Sequence, residues 1–235
     1  MRLDTAMVMA AGFGTRMGAL TADRPKPLLP VAGRALIDHA LDLAAAAGVR
    51  RAVVNLHYRG EQVRAHLAGR TAPAIAFSEE RPDILDTGGG LVHALPLLGD
   101  RPFAVLNSDA VFAGPNPLRA LAAAWDPVRM DALMLLVPAA QARAYTRPGD
   151  FFLPAERAAP ARRGDAASAP FVFTGAQIVA PGALAGAPAG AFSLNVVWDR
   201  LLAEGRLAAV SWPGTWVDVG TPEGLAEAGR TLAAA

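Results

Sequence analysis

Ala10-Ala11-Gly12-Phe13-Gly14-Thr15-Arg16-Met17, with Arg24-Pro25-Lys26-Pro27 close behind, is the stretch that decides how this chain is read. An apolar run over residues 6–9 leads into it and has the pattern of a buried parallel strand. Small residues then replace large ones. Gly12 and Gly14 have no Cβ, so backbone N–H groups there can turn toward an anion and approach it closely. Arg16 adds a planar cationic fork that matches phosphate oxygens. Lys26 lies between two prolines that fix their own φ, and Pro27 disfavours a helical Lys26. The expectation is an extended, stiff segment holding one lysine in place. Glycine loop, arginine and lysine together have the make-up of a triphosphate cradle.

The spacing separates this loop from two commoner ones. A Walker A loop has Lys directly after its last glycine, and here it does not. A dinucleotide fingerprint has a third glycine where Met17 stands, and Gly18 comes one place late. A Gly-x-Gly after a strand can equally be a tight turn into a helix. The addition of Thr-Arg-Met and Pro-Lys-Pro at this distance is far more specific.

The chain has 235 residues, 53% of them hydrophobic, which suffices for one large α/β domain over residues 1–235. It has no cysteine, so disulfides, thiolate metal sites and a thiol nucleophile are excluded. Its net charge of +1 points to neither a nucleic-acid nor an anionic-membrane partner. No apolar run reaches the ~18 residues of a membrane span. The first residues run into a strand without a signal-peptide layout. The reading is of a soluble, cytoplasmic enzyme.

Past the loop, apolar spacing predicts a helix over 36–47, a strand over 51–56, a helix over 58–67 and a strand over 74–77. The order βαβαβ argues for a parallel sheet with helices on both faces, and ligands then sit at the carboxyl ends of the strands. Gly88-Gly89-Gly90 reads as a close-passing turn before a helix over 91–97, whose free N–H groups could face a ligand. A strand over 101–106 ends in Asn107-Ser108-Asp109. A helix over 118–125 and a strand over 132–137 follow, and then the pattern decays into an excursion of loops and short strands. Phe171-Val172-Phe173 is a strand ending at Thr174-Gly175. Further on come a helix over 194–202, strands over 207–211 and 216–217, and a closing helix over 223–232 capped by Thr221 and Pro222.

Asp109 and Asp218 each emerge from an apolar strand, where a carboxylate is costly unless paired or metal-bound. Each can also be a turn aspartate. If the fold brings them to one crevice, the pair suits a single Mg²⁺. His39, His57, His66 and His93 show no partner pattern, so the chemistry needs no protein nucleophile. Transfer by positioning, charge neutralisation and a metal fits that inventory.

A-A-G-F-G-T-R-M (10–17), R-P-K-P-L-L-P-V-A-G-R-A-L-I (24–37), D-T-G-G-G (86–90), N-S-D-A-V-F (107–112), F-T-G (173–175) and W-V-D-V-G-T (216–221) resemble, in this order, the sugar-1-phosphate nucleotidyltransferases. The compact length, with 85–100 and 214–228, is most similar to the subgroup that uridylylates N-acetylmuramate 1-phosphate. Ser108 departs from the glycine usual before the metal aspartate. The resemblance implies a GT-A-like nucleotidyltransferase fold: one Rossmann-like three-layer domain with a mixed, mostly parallel central sheet, and residues 138–180 on the sugar side. It implies a nucleoside triphosphate (UTP) and a sugar-1-phosphate as partners, Mg²⁺ as cofactor, a role in cell-wall sugar recycling, and a monomer or weak homo-oligomer. Arg16 and Lys26 would be catalytic, and Asp109 and Asp218 would hold the metal. Ala11, Gly12, Gly14, Thr15 and Gly88 would bind the nucleotide, and Asn107, Gly149, Asp150 and Gly175 the sugar. Contacts near Glu79, Glu80 and Asp86 would choose the base. A hexose-1-phosphate guanylyl- or thymidylyltransferase, or a non-catalytic nucleotide-sensing homologue, stays open beside it.

Overall fold

Thr5–Met9, the apolar run ahead of the glycine loop, forms β1, and its three central residues are fully buried. The computed structural model describes residues 1–234. After β1 come a two-residue hairpin, β2 (Pro30–Val31) and β3 (Arg34–Ala35), then α1 (Leu36–Ala46), β4 (Arg51–Leu56), α2 (Gly60–Leu67) and β5 (Ala74–Glu79). The next elements are α3 (Asp86–Leu98), β6 (Phe103–Asn107), β7 (Ala110–Ala113), α4 (Pro117–Ala124) and β8 (Ala132–Pro138). The remainder is β9 (Ala142–Arg143), β10 (Phe151–Phe152), β11 (Ala161–Arg162), β12 (Phe171–Val179), α5 (Asn195–Ala203), β13 (Leu207–Ser211), β14 (Thr215–Asp218) and α6 (Pro222–Ala233).

The four parallel strands β6-β1-β4-β5 lie in register, Val8 opposite both Val54 and Leu106, and Leu56 opposite Glu79. Their carboxyl ends are therefore level, and the loops leaving them face one another. β12 runs antiparallel between β6 and β8, and β13 is parallel to β8, so the sheet is mixed and mostly parallel as expected. Side chains alternate across it. Met7, Val53 and Val105 pack under α3 and α5, while Ala6, Val8 and Leu106 pack under α1, α2 and α4. Burying each leucine-sized side chain this way is worth roughly 1.5–3 kcal/mol, which makes the three layers adhere. β7, β14 and β9 form a small second sheet. Val111, Val217, Val219 and Ala228 of that region close over Met17, Leu29 and Leu36 and fasten it beneath the glycine loop.

Three expectations change. The glycine triplet lies inside α3, which starts at Asp86. A Cβ on Gly88, Gly89 or Gly90 would come within 2.2 Å of the Phe192 ring, 2.3 Å of the Gly190 carbonyl or 2.7 Å of Glu80 Oε1. The glycines serve close packing, not a turn. Lys26 opens a 3-10 turn (Lys26–Leu28) instead of lying in extended chain. Pro27 is tolerated because the first N–H groups of a helical turn have no acceptor within it. Finally, the strand expected to end at Thr174-Gly175 runs on as one strand of the main sheet, Phe171–Val179, bulged between Phe173 and Gln177.

Candidate active site

The loop after β1 is braced from both ends. The Met17 N–H donates to the Gly14 carbonyl (2.9 Å), and the Thr21 hydroxyl donates to the carbonyls of Gly14 (3.1 Å) and Gly18 (3.2 Å). Gly14 has φ +66°, and a Cβ there would sit 2.9 Å from the Lys26 Cβ. Around Gly12 a Cβ would meet nothing within 4 Å, which is the open side of the loop. Lys26 is only 7% exposed, and its ammonium lies 2.6 Å from Asp109 Oδ2. A buried cation needs such a partner.

A crevice of about 290 Å³ lies over these strand ends, lined by Ala11, Gly12, Gly14, Thr15, Arg16 and Lys26 on one side and by Glu80, Asp86 and Thr87 on the other. Asn55 and Glu80, both almost wholly buried, form its floor. Asn55 Oδ1 accepts from the Ala10 N–H (2.6 Å), and Asn55 Nδ2 donates to Glu80 Oε1 (2.7 Å). Glu80 Oε2 accepts from the Leu85 N–H (2.8 Å). One network thus ties the glycine loop to the loop before α3. Glu79 is turned elsewhere and pairs with Arg64 and Arg81. Gly88 backs onto Phe192 and does not line the crevice. The N–H groups of Gly88 and Gly89 donate to the Phe192 carbonyl (2.9 and 3.2 Å), so these first-turn donors of α3 do not face a ligand.

The two distant aspartates meet. β7 and β14 pair with Asp218 opposite Ala110, and the Val219 N–H donates to the Asp109 carbonyl (3.0 Å). Both side chains line a second cavity of about 520 Å³, which shares Arg16, Asn107 and Asp109 with the first. Burial, and then the like charge of Asp109, hold the Asp218 carboxyl above the usual carboxylate range, against the pull of Arg16, Lys26 and Arg147. A Cβ on Gly220 would meet both Arg16 Nη1 (2.7 Å) and Asp218 Oδ1 (2.9 Å), so the guanidinium stands beside that carboxylate.

The second cavity also gathers Asn107, Gly149, Asp150 and Gly175. The two glycines act through backbone shape. Gly149 (φ +84°) lies so close to Ala169 that a Cβ would be 2.0 Å from its carbonyl oxygen, and Gly175 (φ +78°) would put one 2.7 Å from Asn107 Nδ2. Asp150 is committed to the loop. Its Oδ1 accepts from the Tyr145 hydroxyl (2.8 Å) and its Oδ2 from the Phe173 N–H (3.0 Å). Burial and that bond raise the Tyr145 pKa above its usual value.

Sequence reasoning missed Asn55, Arg147 and Arg163, which line the same cleft. Only Asn55 carried a signal, as a polar residue in the otherwise apolar run of β4. The arginines lie in the segment where the pattern decays.

The model of the MobA-like NTP transferase domain matches residues 6–174. The chain is 47% identical to the N-acetylmuramate alpha-1-phosphate uridylyltransferase of Caulobacter vibrioides, over 98% of this chain and 97% of that one. It is 35% identical to the protein of the same name from Neisseria meningitidis serogroup B, over 95% and 96% of the two chains. Among solved structures, UDP-glucose pyrophosphorylase complexed with UDP-glucose superposes with a TM-score of 0.79 at 17% identity, covering 99% of both chains. The inositol-1-phosphate CTP transferase from T. maritima gives 0.78 at 18%, covering 99% of this chain and 96% of that one. These two likenesses establish the expected nucleotidyltransferase fold. With most of its length under one family model and two near-full-length relatives, the chain belongs to the MobA-like NTP transferase domain family.

Proposed function

We propose that this chain transfers a uridylyl group from UTP to N-acetylmuramate 1-phosphate, releasing pyrophosphate, in the cytoplasmic recycling of cell-wall sugar. The observation that carries the reading is the meeting of Arg16, Lys26, Asp109 and Asp218 at the seam between two cavities. The names of the two near-full-length relatives favour this nucleotide and this sugar. A phosphate oxygen of the sugar-1-phosphate forms a bond to the α-phosphorus as the bond from that phosphorus to the bridging oxygen breaks, and the electron pair leaves on pyrophosphate. Such a step is governed by positioning and by neutralising charge. Backbone N–H groups over Ala11, Gly12, Gly14 and Thr15 would cradle the triphosphate, Arg16 would take up charge on the leaving pyrophosphate, and Lys26 would neutralise the phosphates as they react. Asp86 and Thr87, which line the crevice, would face the base, whereas Gly88 packs against Phe192 behind them. Asn107 would face the sugar, with Gly149, Asp150 and Gly175 holding the loops around it.

The carboxylates fit Mg²⁺. Two neighbouring acids, with Asp218 destabilised by the charge of Asp109, are what a hard divalent cation relieves. Among the described residues no third acid or histidine joins them, so phosphates and water would complete the shell. Held by Asp109 and Asp218, the ion would supply neutralisation of charge on the reacting phosphates.

The test is pyrophosphate release with UTP, GTP, dTTP and CTP against a panel of sugar-1-phosphates, with and without EDTA. Fastest turnover with UTP and N-acetylmuramate 1-phosphate, lost on chelation and restored by Mg²⁺, is the expected result. Turnover of GTP or dTTP with a hexose 1-phosphate would move the assignment. Silence with every pair would overturn the reading in favour of the non-catalytic alternative, which nucleotide binding without turnover would then have to support.

A further inference from the structure

The acceptor cavity sets four arginines beside three aspartates, Asp109, Asp150 and Asp218. Arg16, Arg147, Arg162 and Arg163 all line it. Arg16 and Arg147 belong to the Asp218 end, where the phosphate would lie. Arg162 is engaged, donating to Asp199 Oδ1 (2.6 Å) and Asn195 Oδ1 (3.1 Å). Arg163 differs. It leaves the hairpin of β10 and β11 with its N–H on the Asp150 carbonyl (2.8 Å), and its side chain donates to the Ala166 carbonyl (2.8 Å). It is half-buried, and among the described residues it pairs with no carboxylate. The acid beside it, Asp150, is turned inward and satisfied by Tyr145 and the Phe173 N–H. A half-buried guanidinium fork that lines a cavity and pairs with none of its carboxylates is poised to accept an incoming one, and a planar carboxylate is its best geometric match.

We propose that Arg163 pairs with a carboxylate carried on the sugar of the acceptor, so that this site selects acidic sugar-1-phosphates over neutral ones. The inference rests on the nucleotidyl-transfer reading and adds to it the residue that reads the sugar. The hairpin brings Arg163 to the cavity while the phosphate end has its own cations. One acceptor with two separated anions matches that division.

The test compares two acceptors that differ in the lactyl carboxylate, N-acetylmuramate 1-phosphate and N-acetylglucosamine 1-phosphate, with UTP, for the wild type, Arg163→Met and Arg163→Lys. For Arg163→Met, kcat/KM on the acidic sugar should fall roughly 30-fold, mainly through KM, as a lost charged hydrogen bond in a half-buried site predicts. The fall should be at least about tenfold larger than on the neutral sugar, and Arg163→Lys should restore part of it. Rising salt should erode the wild-type preference. Where turnover with the neutral sugar is too slow, calorimetric titration of both sugar phosphates gives the same comparison, and melting curves check the variants' folds. Equal losses on both sugars, or none, overturn the role of Arg163 while leaving uridylyl transfer standing. A wild type that turns over neither sugar overturns the underlying reading, and this inference with it.

Discussion

Gly12→Ala and Gly14→Ala should separate the part of the loop that holds the fold from the part that holds the ligand. At Gly14 alanine must adopt φ +66°, a left-handed conformation costing roughly 1–2 kcal/mol. Its Cβ would also stand 2.9 Å from the Lys26 Cβ and 3.2 Å from Thr21 Cγ2. Relief requires the lysine stem to move off its rotamer, at about 0.5–1.5 kcal/mol. Gly14→Ala should therefore lose about 1.5–3.5 kcal/mol, and for a chain of this size its melting temperature should drop by roughly 3–14 °C. At Gly12 the added methyl meets no protein atom within 4 Å, so stability should stay within about 0.5 kcal/mol of the wild type. The methyl instead occupies space assigned to the triphosphate. A displacement near 1 Å there should lower kcat/KM for the nucleotide by about 100-fold. Melting curves and pyrophosphate release, run on both variants, read the two effects independently. If Gly12→Ala melts as early as Gly14→Ala, or keeps wild-type turnover, the open side of the loop does not face the triphosphate.

Lys26→Met and Asp218→Asn should each cut turnover by about three orders of magnitude, with helix content by circular dichroism retained; near wild-type rates would remove the residue from its role. Asn55→Leu strands the Ala10 N–H and one oxygen of the buried Glu80, so it should destabilise by roughly 2–4 kcal/mol in urea melts, whereas an exposed substitution such as Val128→Thr should not. The Arg206 bond holds the Asp131 carboxyl below its usual range, so that pair stabilises the fold above about pH 4 and ceases to as pH falls through the lowered value. Arg206→Ala should flatten the stability profile of urea melts between pH 5 and 3, and an unchanged slope would refute the pairing.

Strands β1, β4, β6, β8 and β13 were legible because each is a short apolar run bounded by polar or glycine punctuation, a pattern local to its own residues. Thr221 and Pro222 announced α6 for the same reason, since a cap acts within one turn, and the Thr221 hydroxyl does accept from the Gly224 N–H (3.2 Å). Gly88-Gly89-Gly90 misled because glycine disfavours helix interiors in isolation. The partners that require it there, Phe192, the Gly190 carbonyl and Glu80, come from elsewhere in the chain.

The amino-acid order alone therefore determined the layered α/β sheet, the placement of the glycine loop at its carboxyl edge, and which cations and acids were candidates for chemistry. Only tertiary structure decided which of them meet. Asp109 reaches Asp218 through the ladder of β7 on β14, Lys26 finds Asp109 across the cleft, and Arg163 arrives on a hairpin without local pattern. Hydrophobic periodicity is written within a few turns of chain. Contacts between strand ends a hundred residues apart depend on how the whole sheet registers, and no local pattern encodes that.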